Sequence, residues 1–210
     1  MRRRGVVLGA CAAAALAACR RKPQLAAIPA GATVLALGDS LTFGTGATPE
    51  TSYPAVLGGL TGWNVVNAGV PGDTSADALA RLPELLRQHS PALVLVSLGG
   101  NDFLRHLPAT ETRAALLAIC RTARAAGAEV LLIGVPEPSA FAAVTRSLAD
   151  PPLYAELASE LKVPLYGGGW AGVLSDPMLR SDAIHANARG YEAFARGLAA
   201  QVRELGLLAG

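Results

Sequence analysis

The chain has 210 residues, of which 51% are hydrophobic and 16% charged. This composition suits one globular domain with a full core and excludes a disordered chain. Three of the 18 basic residues form the run Arg2–Arg4, so the chain from Cys19 onward carries 15 basic and 16 acidic residues. A domain so close to neutral lacks the positive surface that binds nucleic acid, and no nucleic-acid partner is expected.

The first 18 residues are predicted to be a signal peptide. Arg2–Arg4 give a positively charged start, and Gly5–Leu16 is an apolar segment too short to span a bilayer as a helix. The run Leu16–Cys19 resembles the bacterial lipobox. That resemblance implies that Cys19 becomes the lipidated first residue of an exported lipoprotein, anchored to a membrane at its periplasmic face. Plain cleavage after the Ala-Leu-Ala of residues 15–17, which would release a soluble protein, is the alternative.

The remainder is predicted to be a tether over residues 19–30 and one domain over 31–210. Of the three cysteines only Cys120 would remain as a free thiol in the folded domain, and a single thiol cannot form an internal disulfide. It lies on the apolar face of a predicted helix and is expected to be a small core residue.

Apolar runs and segments with helical spacing alternate along the chain from residue 33. The predicted strands are 33–37, 63–67, 92–98, 129–134 and 163–166. The predicted helices are 53–60, 76–88, 110–126, 153–162 and 187–205. Ser75 and Asp73 are expected to cap the second helix. This alternation predicts a three-layer α/β/α domain with a parallel sheet of five strands.

Each of the first three strands is followed by a polar loop. These loops contain the runs Gly38–Leu41, Asn67–Asp73 and Gly99–Asp102. Because the carboxyl ends of neighbouring parallel strands meet at one edge, the loops should bring Ser40, a glycine N–H and the Asn101 amide together. A serine nucleophile and donors for an oxyanion are what ester hydrolysis requires.

A general base must come from one of three histidines. His185 follows Asp182 by three residues, a spacing that can place the carboxylate on Nδ1 and leave Nε2 for the serine proton. His89 ends a helix at the opposite edge and is expected to lie at the surface. His106 could line the mouth of the site. A metal site at the Asp-x-x-His run is disfavoured, because no cluster of further ligands lies nearby in the sequence.

Four blocks in this order resemble the GDSL/SGNH hydrolase family, above all its thioesterase I/lysophospholipase and arylesterase members. The blocks are Gly38–Leu41, Asn67–Ser75, Leu98–Asp102 and Asp182–His185. The resemblance extends from residue 33 to about residue 202 and implies a flavodoxin-like SGNH hydrolase fold. It implies Ser40, Asp182 and His185 as catalytic residues.

The resemblance also implies how the other site residues act. The oxyanion hole would consist of the N–H groups of Ser40 and Gly72 and the Asn101 amide, with Gly69 as second choice to Gly72. No metal or organic cofactor is implied, and the substrate would be a small-molecule or lipid acyl ester. One departure is Ala186, which stands where the family has a proline after the histidine.

Other functions and other roles stay open on the sequence alone. The same family includes O-deacetylases of cell-envelope carbohydrate, and a non-catalytic envelope lipoprotein could retain the fold. Asp39 and Asp102 are expected to tie down their loops through hydrogen bonds to the backbone. Trp63 and Trp170 are expected to pack in the core, with Trp170 also a candidate substrate contact.

Overall fold

Five parallel strands form one sheet in the computed structural model of the protein, which describes residues 26–137 and 148–208. The strands are β1 (Thr33–Gly38), β2 (Asn64–Gly69), β3 (Leu93–Ser97), β4 (Glu129–Ile133) and β5 (Leu165–Tyr166). Their order across the sheet is β2-β1-β3-β4-β5. This is the flavodoxin-like order, so the predicted fold class is confirmed.

Helices cover both faces of the sheet. They are α1 (Ser40–Phe43), α2 (Tyr53–Thr61), α3 (Ser75–His89), α4 (Gly100–Leu104), α5 (Ala109–Ala125), α6 (Leu153–Leu161), α7 (Gly169–Ser175) and α8 (Ala188–Glu204). A short 3₁₀ helix, Pro49–Thr51, precedes α2. One layer joins α3 to α5 and α5 to α6, and the other joins α2 and α7 to α8. The central strands β1, β3 and β4 are almost wholly buried between these layers, as near-continuous apolar runs require.

The prediction that Ser75 and Asp73 cap α3 is wrong. Thr74 is the cap: its hydroxyl accepts the N–H of Asp77, and the Asp77 carboxylate in turn accepts the N–H of Thr74 at 3.0 Å. Such a reciprocal pair satisfies two of the free N–H groups at a helix start. Ser75 and Asp73 are thereby left for contacts with other elements, described below.

All three side chains expected in the core, Cys120, Trp63 and Trp170, are buried there. Cys120 is buried on α5, and burial raises the pKa of its thiol to about 12, so the thiol stays protonated. Trp170 is fully buried, stacks on Phe194 with ring centroids 3.6 Å apart and donates to Oγ of Ser97 at 3.0 Å. Trp170 is therefore a core residue, and its prediction as a substrate contact is wrong.

The two described ends of the chain meet at the amino edge of the sheet. Ile28 is buried and pairs with Leu208 in an isolated parallel bridge, and the Trp63 indole donates to the Ile28 carbonyl at 3.1 Å. The packed domain thus includes Ile28, which the predicted tether had placed outside it. The predicted signal peptide, Cys19 and the tether as far as residue 25 lie outside the described residues. Within residues 26–137 and 148–208, no helix is long and apolar enough to cross a membrane.

Candidate active site

The carboxyl ends of β1, β2 and β3 lie side by side, and their loops surround one cavity. In the sheet register Gly38 lies beside Gly69 on one side and Ser97 on the other. The cavity has a volume of about 490 Å³. Its polar lining includes Asp39, Ser40, Gly72, Asn101 and His185. All three strand-end loops therefore contribute to one site, together with the loop before the last helix.

Ser40, His185 and Asp182 form one hydrogen-bonded chain. Nε2 of His185 lies 3.0 Å from Oγ of Ser40, and Nδ1 lies 2.7 Å from Oδ2 of Asp182. The histidine side chain is 16% exposed and the aspartate side chain 52%. If the ring proton is on Nδ1, facing the carboxylate, Nε2 is free to accept the serine proton.

The three-residue spacing brings the His185 imidazole to the Asp182 carboxylate because the main chain turns back onto that carboxylate. The N–H groups of Ile184 and His185 each donate to Oδ1 of Asp182 at 2.8 Å. Burial by itself would raise the pKa of Asp182, but these hydrogen bonds and the contact with the imidazole outweigh it and lower that pKa. Asp182 therefore stays ionised at neutral pH and can stabilise a positively charged imidazole.

The loop that carries His185 is fixed although it has no regular structure. Arg180 pairs with Ala186 in an isolated antiparallel bridge, and the Ser181 N–H donates to the carbonyl of His185 at 2.9 Å. Asn187 caps α8 and also donates to the Arg180 carbonyl at 3.2 Å. These contacts hold the chain at the position where Ala186 replaces the proline of the related motif.

The structure separates the two candidate oxyanion glycines. The N–H of Gly69 already donates to Oδ1 of Asn67, and a side chain at Gly69 would lie about 2.1 Å from the main-chain nitrogen of Phe43. Gly69 thus lets two backbone segments pack closely. Gly72 lines the cavity with φ +87°, a conformation that favours glycine, and its N–H makes no hydrogen bond to any described residue. Of the two glycines, only Gly72 lines the cavity with a main-chain N–H that no described residue accepts.

The Asn101 amide lies between two acidic residues. Its Nδ2 donates to the main-chain carbonyl of Asp73 at 2.9 Å and lies 3.4 Å from Oδ2 of Asp39. The next residue, Asp102, is buried and accepts hydrogen bonds from the N–H and hydroxyl of Ser75, which ties α4 to the start of α3. The contact with Asp39 is long for a hydrogen bond, so it is the weaker of the two that the Asn101 amide makes.

The rest of the cavity wall is mostly apolar. Its apolar residues include Leu104, Val135, Pro136, Leu148, Leu174 and Ile184. A cavity of this size and lining suits a hydrocarbon chain attached to a polar reacting group.

Comparison with known proteins decides the family. Residues 36–193 match the GDSL-like lipase/acylhydrolase family. The chain belongs to this family. It is a carboxylic ester hydrolase of the GDSL/SGNH type.

Several members of the GDSL family resemble the chain over most of its length. It is 38% identical to thioesterase 1/protease 1/lysophospholipase L1 of Escherichia coli K12 over 178 residues, which cover 82% of this chain and 84% of the relative. It is 32% identical to an arylesterase of Vibrio mimicus, covering 76% and 82% of the two chains. The crystal structure of TesA superposes with a TM-score of 0.72 at 30% identity, covering 82% of this chain and 99% of that one.

Asp39 of the hydrolase is a buried carboxyl group directly before Ser40. Its Oδ1 accepts the N–H of Leu41 at 3.0 Å, which caps α1 and confirms the predicted role in the loop. Burial raises the pKa of Asp39 to about 7, against the opposing effects of the Leu41 hydrogen bond and the nearby His185. At neutral pH this carboxyl group is therefore close to the midpoint of its titration.

Replacing Asp39 with asparagine is expected to flatten the pH dependence of stability. An unfolded aspartate ionises near 3.8 and the folded one near 7, so between these values the folded chain holds the extra proton and a rise in pH favours unfolding. Three pKa units correspond to about 4 kcal/mol. Asparagine can still accept the Leu41 N–H but does not titrate. The melting temperature, followed by circular dichroism, should fall less between pH 5 and pH 8 in Asp39→Asn than in the wild type.

The matched control for this experiment is Asp176→Asn. Asp176 accepts the N–H of Met178 at 2.9 Å, the same contact two residues on, but from a half-buried position. Asp176→Asn should keep the wild-type pH dependence. Identical pH dependence in Asp39→Asn and the wild type would mean that the folded Asp39 is already ionised at pH 5.

The remaining predicted residues lie away from the centre of the site. His106 is exposed, with φ +54°, and is not among the residues that line the cavity. His89 is the last residue of α3, as expected. Among the described residues, no three His, Cys, Asp or Glu side chains cluster closely enough to hold a metal ion.

Two arginines next to the site were not predicted from the sequence. Arg105 donates from Nη2 to the Gly72 carbonyl at 2.6 Å, and Arg81 contacts Asp73 and the end of β1. Neither belongs to a motif block. No local spacing could have identified them, because Asp73 lies in the loop before α3 and both carbonyl partners are distant in the chain.

Proposed function

We propose that the protein is a serine esterase that hydrolyses acyl esters and thioesters, with Ser40 as nucleophile, His185 as general base and Asp182 as its orienting partner. The observation that carries the proposal is the continuous chain of contacts from Ser40 Oγ to His185 Nε2 and from His185 Nδ1 to Asp182. Such a chain activates a serine hydroxyl that is otherwise a weak nucleophile at neutral pH.

In the first half of the proposed reaction, His185 takes the hydroxyl proton as Ser40 attacks the acyl carbonyl carbon. The carbonyl oxygen becomes an oxyanion, bound by the N–H groups of Ser40 and Gly72 and by the Asn101 amide. Asp182 stabilises the imidazolium ion. The tetrahedral intermediate then collapses, His185 gives its proton to the departing alcohol or thiol, and the acyl group stays on Ser40.

In the second half, water replaces the alcohol. His185 accepts a proton from the water as its oxygen attacks the acyl carbon, and the same donors bind the second oxyanion. The Ser40–acyl bond breaks, His185 returns the proton to Ser40, and the carboxylic acid leaves. Every proton is carried by the side chains already described.

The apolar wall of the cavity supports a substrate with a hydrocarbon acyl chain. Leu104, Leu174 and Ile184 line the same space as Ser40, so a chain esterified at the reacting carbonyl would be removed from water. Each buried methylene contributes about 0.8 kcal/mol to binding. The names of the relatives, thioesterase/lysophospholipase and arylesterase, support the same class of substrate.

An organofluorophosphonate tests the proposal directly, because it reacts only with an activated serine. Intact mass of the purified full chain should increase by one adduct, and peptide mapping should place it on Ser40. No adduct on the folded chain would favour a non-catalytic lipoprotein. The same mass spectrum tests the proposed export and lipid attachment at Cys19.

A substrate panel separates the esterase from a carbohydrate deacetylase. Rates should rise from acetyl to longer-chain p-nitrophenyl esters and exceed those on acetylated sugars, because the apolar wall contacts only the longer chains. A preference for acetylated sugars would overturn the acyl-ester assignment while leaving the role of Ser40 intact.

A further inference from the structure

Arg81 joins two of the segments that form the candidate active site. Its Nε donates to Oδ2 of Asp73 at 2.7 Å, and its Nη2 donates to the main-chain carbonyl of Gly38 at 3.0 Å. The side chains of Arg81 and Asp73 are 25% and 13% exposed, so both are largely shielded from water. This burial distinguishes the pair from surface ion pairs, which contribute little.

Both partners of Arg81 are connected directly to the proposed catalytic groups. Gly38 is the last residue of β1, two residues before Ser40, and its carbonyl also accepts the Val70 N–H at 3.1 Å. Asp73 follows Gly72 in the chain, and its own carbonyl accepts the Asn101 amide at 2.9 Å. One guanidinium group therefore connects the end of the strand before the nucleophile to Asp73, which adjoins Gly72 and accepts the Asn101 amide.

We propose that Arg81 is a positioning residue for the oxyanion hole, an inference that rests on the proposed function of Ser40. It fixes the distance between the end of β1 and the Gly72–Asp73 loop, so the donors stay aimed at the reacting carbonyl. Displacing such groups by about 1 Å can cost on the order of 100-fold in rate.

Arg81 also compensates the negative charge of the Asp73 carboxylate. The Asp73 carboxylate is adjacent in sequence to Gly72, and the tetrahedral intermediate adds a second negative charge to the same loop. The guanidinium group neutralises the first charge, which would otherwise oppose formation of the second. Lysine has the positive charge but not the planar guanidinium group that donates to Asp73 and Gly38 together. Substitution by lysine therefore separates the effect of the charge from that of the two hydrogen bonds.

The variants Arg81→Met and Arg81→Lys test the proposal by steady-state hydrolysis of p-nitrophenyl esters. We expect kcat to fall about tenfold or more in Arg81→Met and less in Arg81→Lys, with KM nearly unchanged, because the oxyanion exists only after substrate binds. Arg124→Met is the matched control: Arg124 also donates to a main-chain carbonyl, that of Leu161 at 2.8 Å, and the variant should keep the wild-type kcat.

A double-variant cycle with Asn101→Ala separates positioning from a general loss of stability. If Arg81 acts through the Asn101 and Gly72 donors, Arg81→Met should reduce kcat by less in the Asn101→Ala background than in the wild type. An equal loss in both backgrounds, or wild-type kcat in a folded Arg81→Met protein, would overturn the proposal. Either result leaves the role of Ser40 untouched, because that role is tested separately by the fluorophosphonate adduct. Melting temperatures confirm that each variant is folded at the assay temperature.

Discussion

Replacing Ser40 with alanine is expected to abolish ester hydrolysis and leave the fold unchanged. The Ser40 hydroxyl supplies the attacking oxygen, and the His185 ring, 3.0 Å away, supplies the base. Removing either member of such a pair typically lowers kcat by on the order of 10⁴- to 10⁶-fold, and His185→Ala should give a loss of the same size. The structural cost is one side-chain hydrogen bond, about 1 kcal/mol. Hydrolysis of p-nitrophenyl esters measures the first effect and the circular dichroism spectrum the second.

Matched controls for these variants exist elsewhere in the chain. Ser159 is an exposed serine on α6, and His89 ends α3 away from the cavity. Ser159→Ala and His89→Gln should both retain wild-type kcat. Normal activity in a correctly folded Ser40→Ala protein would end the serine-esterase proposal.

Replacing Asn101 with alanine is expected to lower kcat by about 100- to 1,000-fold with a much smaller change in KM. In the proposed mechanism the amide exchanges its long contact with Asp39 for the oxyanion, and the loss of one oxyanion donor has an effect of this size. The variant also loses the link between Asn101 and the Gly72–Asp73 loop. Residual activity should remain measurable, because Ser40 and His185 are intact, and this is what distinguishes Asn101→Ala from Ser40→Ala.

The control for Asn101→Ala is Asn67→Ala. Asn67 lies at the end of the neighbouring strand, accepts the Gly69 N–H and donates to the Phe43 carbonyl at 3.2 Å, but it does not line the cavity. Its loss should reduce stability rather than kcat. Equal losses of kcat in the two variants would mean that Asn101 supports the loop and does not bind the oxyanion.

The sequence predicted the fold because its strongest patterns coincide with buried elements. The runs that became β1, β3 and β4 are apolar throughout, and the helix periods of α3, α5 and α8 are regular. Boundaries were less well predicted where tertiary contacts decide them. The sequence pattern predicts Trp63 as the start of the second strand, but its indole donates to the Ile28 carbonyl and the strand begins one residue later. The fifth strand was predicted with four residues and has two.

Within the candidate site, the order of the motifs in the sequence identified the proposed catalytic residues. It did not identify the residues that position them. The motif ranks Gly72 above Gly69 but leaves both open, and the close approach of Phe43 and the cavity lining separate them. Nothing local in the sequence indicates that Asp39 is buried enough to shift its pKa to about 7. Arg81 was missed because its two partners lie 8 and 43 residues away in the chain.

The bridge between Ile28 and Leu208 places both described ends of the hydrolase at one edge of the sheet. Ile28 lies next to the start of β2, at the amino edge of the sheet, whereas Ser40 lies at the carboxyl edge. The described chain therefore begins on the side opposite the mouth of the cavity. The proposed lipid on Cys19 would be linked to the described domain by seven residues, at most about 25 Å of extended chain. Such an anchor would be attached at the edge of the sheet opposite Ser40.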